Sequence, residues 1–132
     1  MLHYPPKILV AFGETITGNE KIYHWLLSNG YPELAALSSA IRGSEDAFKW
    51  LMANKYPQYA ALDSAIDGQM KAYAWLQQHK FEFLIVFADA CREKKAALNW
   101  LAKNDLKLFI RIAFKIKQYR DSKFFDYHKL HF

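Results

Sequence analysis

Apolar residues recur along this chain at intervals of three and four, and the whole pattern returns every 25 residues. In blocks beginning at Pro6, Tyr31, Tyr56, Phe81 and Leu106, the fourth place holds Leu9, Leu34, Tyr59, Leu84 and Phe109. The seventh place holds Phe12, Leu37, Leu62, Phe87 and Ile112, and the eleventh holds Ile16, Ile41, Ile66, Cys91 and Ile116. Such spacing gathers side chains on one face of a helix. Pro32 and Pro57 occupy the second place, where a first-turn proline sacrifices no hydrogen bond. Gly18, Gly43 and Gly68 occupy the thirteenth, where a helix ends in a left-handed residue. A second stripe follows: Ile22, Ala47, Ala72 and Ala97; then Trp25, Trp50, Trp75 and Trp100; then Leu26, Leu51, Leu76 and Leu101. Asn29, Asn54 and Asn104 close this second helix in the left-handed conformation that asparagine tolerates, and His79 takes the same capping slot.

Each block is therefore predicted to be two short helices. One such pair cannot cover its own apolar faces, so neighbouring pairs must stack. The expected fold is all-α: a right-handed-type α-solenoid of about five short antiparallel helical pairs, forming one domain over residues 1–132. The blocks are 6–30, 31–55, 56–80, 81–105 and an atypical C-terminal block, 106–130. Small residues such as Ala35, Ala36, Ala60 and Ala61 slim the first helices and permit close approach. The tryptophans, beside the recurring leucines, are expected to be core or near-core residues. Gly13 and Thr15 weaken the first helix of block 6–30 and leave its pairing open.

The run AALSSAIRGSEDAFKWLMANK, residues 35–55, resembles the helix-turn-helix core of an ankyrin repeat. In both, a small-residue helix ends at a glycine and a second helix carries paired bulky apolar residues. The Thr-Pro-Leu-His tetrapeptide of that family is absent, and only about four residues, such as NKYP at 54–57, join one pair to the next. The extended finger is thus missing. The resemblance implies protein binding, with the row of first helices as the surface. Its variable slots supply the candidates Glu33, Gln58, Phe83, Leu108 and Phe114, the last three forming an apolar patch suited to a dimer contact.

Charge separates the last block from the rest. The chain carries 18 basic and 13 acidic residues, a formal net charge of +5. Residues 1–105 balance 11 against 11, so the entire excess lies in the last 27 residues. Lys107, Arg111 and Lys115 follow at spacing four and form one ridge, continued by Lys117 and Arg120. Two readings stand: a polar cap on the terminal repeat, or a contact for a polyanion such as nucleic acid. Aromatic residues interleave, and Phe125 stands where a fifth tryptophan would fall.

Chemistry is sparse. Cys91 is the only cysteine and sits on the core stripe, which fits a reducing, cytoplasmic setting. Asp126, His128 and His131 make a weak metal constellation in the tail, and Asp63 and Asp67 lie four apart. No phosphate loop, zinc spacing or nucleophilic triad is legible, and neither a signal peptide nor a membrane span is expected. The function expected is a non-catalytic binding scaffold for a protein or peptide, with no catalytic, metal or cofactor site. The alternatives are polyanion binding through Lys107, Arg111, Lys115, Lys117 and Arg120, or a self-assembling structural protein.

Overall fold

A computed structural model describes residues 1–130, with side chains through Lys123. The described residues are all-α, with no strand. Nine helices follow in order: α1 Pro6–Ile16, α2 Glu20–Ser28, α3 Pro32–Ile41, α4 Glu45–Ala53, α5 Pro57–Ile66, α6 Met70–Gln78, α7 Glu82–Cys91, α8 Lys95–Lys103 and α9 Lys107–Leu130. Block 6–30 forms a complete pair, α1 and α2.

The turns explain the pairing. Gly18, Gly43 and Gly68 end α1, α3 and α5 with φ of +96°, +102° and +84°, and Glu93 accepts +60° at the same place after α7. Asn19 and Ser44 then cap the next helices, accepting from the Ile22 and Ala47 amides at 3.1 Å each. At the other turn, Asn29, Asn54 and Asn104 donate side-chain bonds of 2.8 Å to the carbonyls of Trp25, Trp50 and Trp100. The His79 ring nitrogen lies 2.9 Å from the Trp75 carbonyl oxygen. These asparagines are not left-handed as expected; their φ values are −111°, −109° and −102°. The next residue takes the positive φ instead: Gly30, Lys55, Lys80 and Asp105.

The odd-numbered helices form the inside of the fold. Their fourth, seventh and eleventh places are all buried, from Leu9, Phe12 and Ile16 through Phe109, Ile112 and Ile116. Neighbouring inner helices pack side by side, α1 on α3, α3 on α5, α5 on α7 and α7 on α9, and α9 packs in turn on α1. The five inner helices thus close a circuit. Across the closure, Lys115 reaches Glu14 at 3.1 Å. Gly13 sits in it, where an added Cβ would lie 3.6 Å from Ile112 and Lys115. The glycine that weakens α1 as a sequence is therefore at a helix contact.

Two expectations need correction. Block 106–130 is not a helical pair; α9 runs unbroken from Lys107 to Leu130. Gln118 stands where the earlier blocks turn at glycine or Glu93, and the residues after it are anchored. Tyr119 donates its hydroxyl to the Arg42 carbonyl at 3.1 Å, and Arg120 donates to the Ile66 carbonyl and pairs with Asp67 at 2.9 Å. Those contacts lie over the C-terminal ends of α3 and α5 and hold the chain helical past its turn point. The tryptophans, secondly, are not uniformly core: Trp25 is 47% and Trp100 43% exposed. Trp25, Trp50 and Trp75 each stack on the aromatic residue six places on, Tyr31, Tyr56 and Phe81, with interplanar angles of 13°, 9° and 4°. They fix how each outer helix hands over to the next inner one, a contact worth about 1 kcal/mol. Residue 106 is leucine, and Trp100 tilts against Phe83 instead.

Candidate functional site

The five basic residues read as a ridge on α9 divide into two groups. Lys115 is joined to Glu14, Lys117 to Asp121 at 3.0 Å, and Arg120 to Asp67 and the Ile66 carbonyl. Their positive charge is met within the fold. Lys107 and Arg111 are exposed and make no ion pair among the described residues. The five-residue ridge read from the sequence is therefore two exposed cations, Lys115 bridging α9 to α1, Arg120 bridging α9 to α5, and Lys117 paired within α9 itself. Phe124 and Phe125, and the constellation Asp126, His128 and His131, lie outside the described side chains.

The protein-binding candidates also separate. Glu33, expected at an exposed slot, is only 5% exposed. The third place of an inner helix points toward the N-terminal mouth of the circuit rather than outward. Gln58 is half-buried at the same mouth. Phe83 and Leu108 are partly buried against the core, Phe83 meeting Phe109 edge-on at 4.9 Å. Phe114 alone keeps the expected exposure, at 57%.

Phe114 lies on a flank with a particular geometry. Outer helix α2 covers the seam between α1 and α3, α4 that between α3 and α5, α6 that between α5 and α7, and α8 that between α7 and α9. No outer helix covers the seam between α9 and α1 among the described residues. Equivalent places show the consequence. Ala35 and Ala60 are fully buried, whereas Val10, in the same place on α1, is 49% exposed. Ala36 is buried, whereas Arg111, in its place on α9, is exposed. The uncovered flank therefore presents Val10 and Phe114 as apolar contacts, Lys7, Lys107 and Arg111 as exposed cations, and the Lys115–Glu14 pair across its middle.

The C-terminal ends of the inner helices hold a polar cluster that sequence spacing did not reveal as one. Arg42 donates to the Ile16 carbonyl at 2.8 Å, so two arginines, Arg42 and Arg120, cap the carbonyl ends of α1 and α5. Positive charge at a helix C-terminus is favourable. A cavity of about 300 Å³ opens beside them, lined by Arg92, Lys117, Arg120 and Asp121 over Ile66 and Cys91. Burial, and then the neighbouring Asp67 carboxylate, push the Asp63 carboxyl up to about 7, against the opposing pull of Arg120. Burial pushes the Cys91 thiol well above its ordinary range, which makes it inert as a nucleophile at neutral pH. The spacing of Asp63 and Asp67 was visible in the sequence; the arginine that meets them comes from 53 residues further along, and no local pattern signals it.

Among the described residues no group of three or more histidine, cysteine, aspartate or glutamate side chains is placed to hold a metal ion. No described helix is long and apolar enough to cross a membrane. Comparison of the chain with known protein families, with curated proteins and with solved structures finds no match.

Proposed function

We propose that this chain is a non-catalytic binding scaffold built as an α-solenoid of 25-residue helical units, curled until its last helix meets its first. What supports the repeat is the even placing of the outer helices, which begin at Glu20, Glu45, Met70 and Lys95. The partner is a protein segment that docks along α1 and α9 as an amphipathic helix with an acidic rim. The carrying observation is the seam left uncovered among the described residues: four seams have an outer helix there and the fifth exposes Val10 and Phe114 among Lys7, Lys107 and Arg111. A helix seated there buries the two apolar side chains as α2, α4, α6 and α8 bury theirs. The flanking cations select acidic residues on its edges. The lone thiol, Cys91, supports a reducing, cytoplasmic setting.

The test is affinity capture of polypeptides from the host with the intact chain, repeated with Phe114→Glu, with Arg111→Glu and with Met70→Glu. Met70 is exposed on α6, away from the seam. A partner held by the parent and by Met70→Glu, but lost with the other two, is expected. A partner that survives both seam changes overturns the assignment.

The exposed Lys107 and Arg111 also favour a second reading, contact with a polyanion such as nucleic acid. With two of the five ridge cations exposed and unpaired, such binding is weak and its salt dependence shallow, because the slope scales with the number of phosphates met. A salt titration against single- and double-stranded nucleic acid separates this reading from the first. A second copy of the chain is the other possible occupant of the seam, and light scattering across a concentration series detects it.

A further inference from the structure

A second site stands apart from the seam, at the N-terminal mouth of the inner helices. The segment before α1 folds across this mouth and places Tyr4 against Tyr59, their hydroxyls 3.1 Å apart. Tyr31 and Tyr56 stand at the starts of α3 and α5. Tyr4 meets Tyr31 edge-on at 6.0 Å on one side, and Tyr56 lies parallel to Tyr59 at 5.9 Å on the other. Between them is an open pocket of about 410 Å³, lined by these four tyrosines, His3, Gln58 and Glu33; the His3 ring lies 4.1 Å from that of Tyr4. A neighbouring hollow of about 500 Å³ shares His3, Gln58 and Tyr59.

Glu33 is the unusual member. It is about nineteen-twentieths buried and lines the pocket, yet it forms no ion pair among the described residues. A carboxylate stripped of most of its water needs a counter-charge or it is costly to keep ionised. Two partial compensations are present. Glu33 lies in the first turn of α3, where the helix dipole supplies a fraction of a positive charge. The phenols of Tyr4, Tyr56 and Tyr59 are close enough to feel its charge. Burial first, and Glu33 with it, raises all three, Tyr59 to about 12, so they stay neutral hydrogen-bonding groups. Neither compensation supplies a whole positive charge. With Glu33 ionised and His3 neutral, the pocket carries one net negative charge, walls of aromatic rings and several phenol oxygens that accept hydrogen bonds.

We propose that this pocket binds an alkylammonium ion, a protonated primary amine, with the Glu33 carboxylate as its counter-ion. Aromatic faces attract cations through their quadrupole, and the attraction strengthens where water is excluded. A primary ammonium adds three N–H donors, which the carboxylate and the phenol oxygens accept. A quaternary ammonium has none, so the site prefers the primary amine. A lysine side chain or a small free amine presents the same group.

The probe is butylammonium chloride, followed through the backbone amide resonances of Gly30, Tyr31, Glu33 and Gln58, with butanol, sodium chloride and tetramethylammonium chloride as comparisons. Saturating shifts confined to these residues are expected with butylammonium, weaker ones with tetramethylammonium, and none with butanol or sodium chloride. Glu33→Gln is expected to weaken binding by at least about tenfold. Tyr56→Phe keeps the ring, removes one acceptor, and is expected to weaken binding by a smaller factor. Shifts that never saturate, that sodium chloride reproduces, or that persist with equal affinity in Glu33→Gln overturn the proposal. Tighter binding of tetramethylammonium overturns the preference for a primary amine. Should Glu33→Gln fail to fold, unchanged affinity in Tyr56→Phe overturns the proposal by itself.

Discussion

Replacing Asp63 by asparagine should make the protein more stable at pH 8 and leave it unchanged near pH 3. Asp63 is partly buried on α5, beside Asp67 on its own helix and facing Arg120 from α9. Burial is the largest cause holding its carboxyl near 7 rather than 3.8, and the Asp67 charge adds to it. The folded protein therefore keeps this proton where the unfolded chain has released it, between pH 4 and pH 7. Stability falls as pH rises through that window, because the native state binds more protons than the unfolded one. The rise from 3.8 to about 7 corresponds to ~4 kcal/mol. Water reaches the exposed Asp67 side of the cluster and screens part of that, which leaves about 2 kcal/mol. Asparagine removes the ionisation while keeping the shape. Urea unfolding followed by tryptophan fluorescence, at a series of pH values from about 3 to 8.5, measures the difference between parent and variant. The difference should be near zero at the acid end and grow to about 2 kcal/mol in favour of Asp63→Asn above pH 7. A constant difference across the series, or a parent that gains on the variant as pH rises, refutes the burial of Asp63 under α9.

Arg120→Ala removes the cation facing Asp63 and Asp67 and leaves the Ile66 carbonyl without its donor. A loss of about 1–3 kcal/mol in urea unfolding is expected at neutral pH. The glycines part company under alanine substitution: Gly13 is helical and its new Cβ meets Ile112 and Lys115 at an ordinary 3.6 Å, so Gly13→Ala should hold or raise the melting temperature. Gly43 has open space but a φ of +102°, so Gly43→Ala should lower stability by at least ~1 kcal/mol through backbone strain alone. Phe87→Ala empties a fully buried place on α7 where Phe109 packs edge-on, and a loss of about 3–5 kcal/mol in the same assay is expected.

The helices and their inward faces were legible in the sequence because both rest on local rules. The stripe of Phe12, Leu37, Leu62, Phe87 and Ile112 is set by helical period, and the turns at Gly18, Gly43 and Gly68 by backbone sterics. His79 was readable as a cap because the other blocks hold asparagine there. The closure of α9 on α1 was not readable. It depends on small rotations between successive helix pairs that accumulate around the whole circuit, and a residue pattern carries no record of that sum. Everything that follows from closure was hidden with it. Lys115 reads as a solvated cation until Glu14, 101 positions away, is beside it. Glu33 reads as a polar first-turn residue until Tyr4 and Tyr59, 55 positions apart, meet over it. The tryptophan row was visible, but its period could not tell a core place from a stack on the outer face, as at Trp25.

The closed circuit of inner helices underlies both proposed sites, and one distance measures it. Spin labels on Val10→Cys and Arg111→Cys, with the buried Cys91 replaced by valine, report the separation of α1 and α9 by pulsed electron resonance. Adjacent packed helices lie about 10 Å apart, so the closed circuit should give a narrow distribution below about 25 Å once the label tethers are included. An open row of five inner helices places the same two positions about 40 Å apart, and a distribution centred there contradicts the closure.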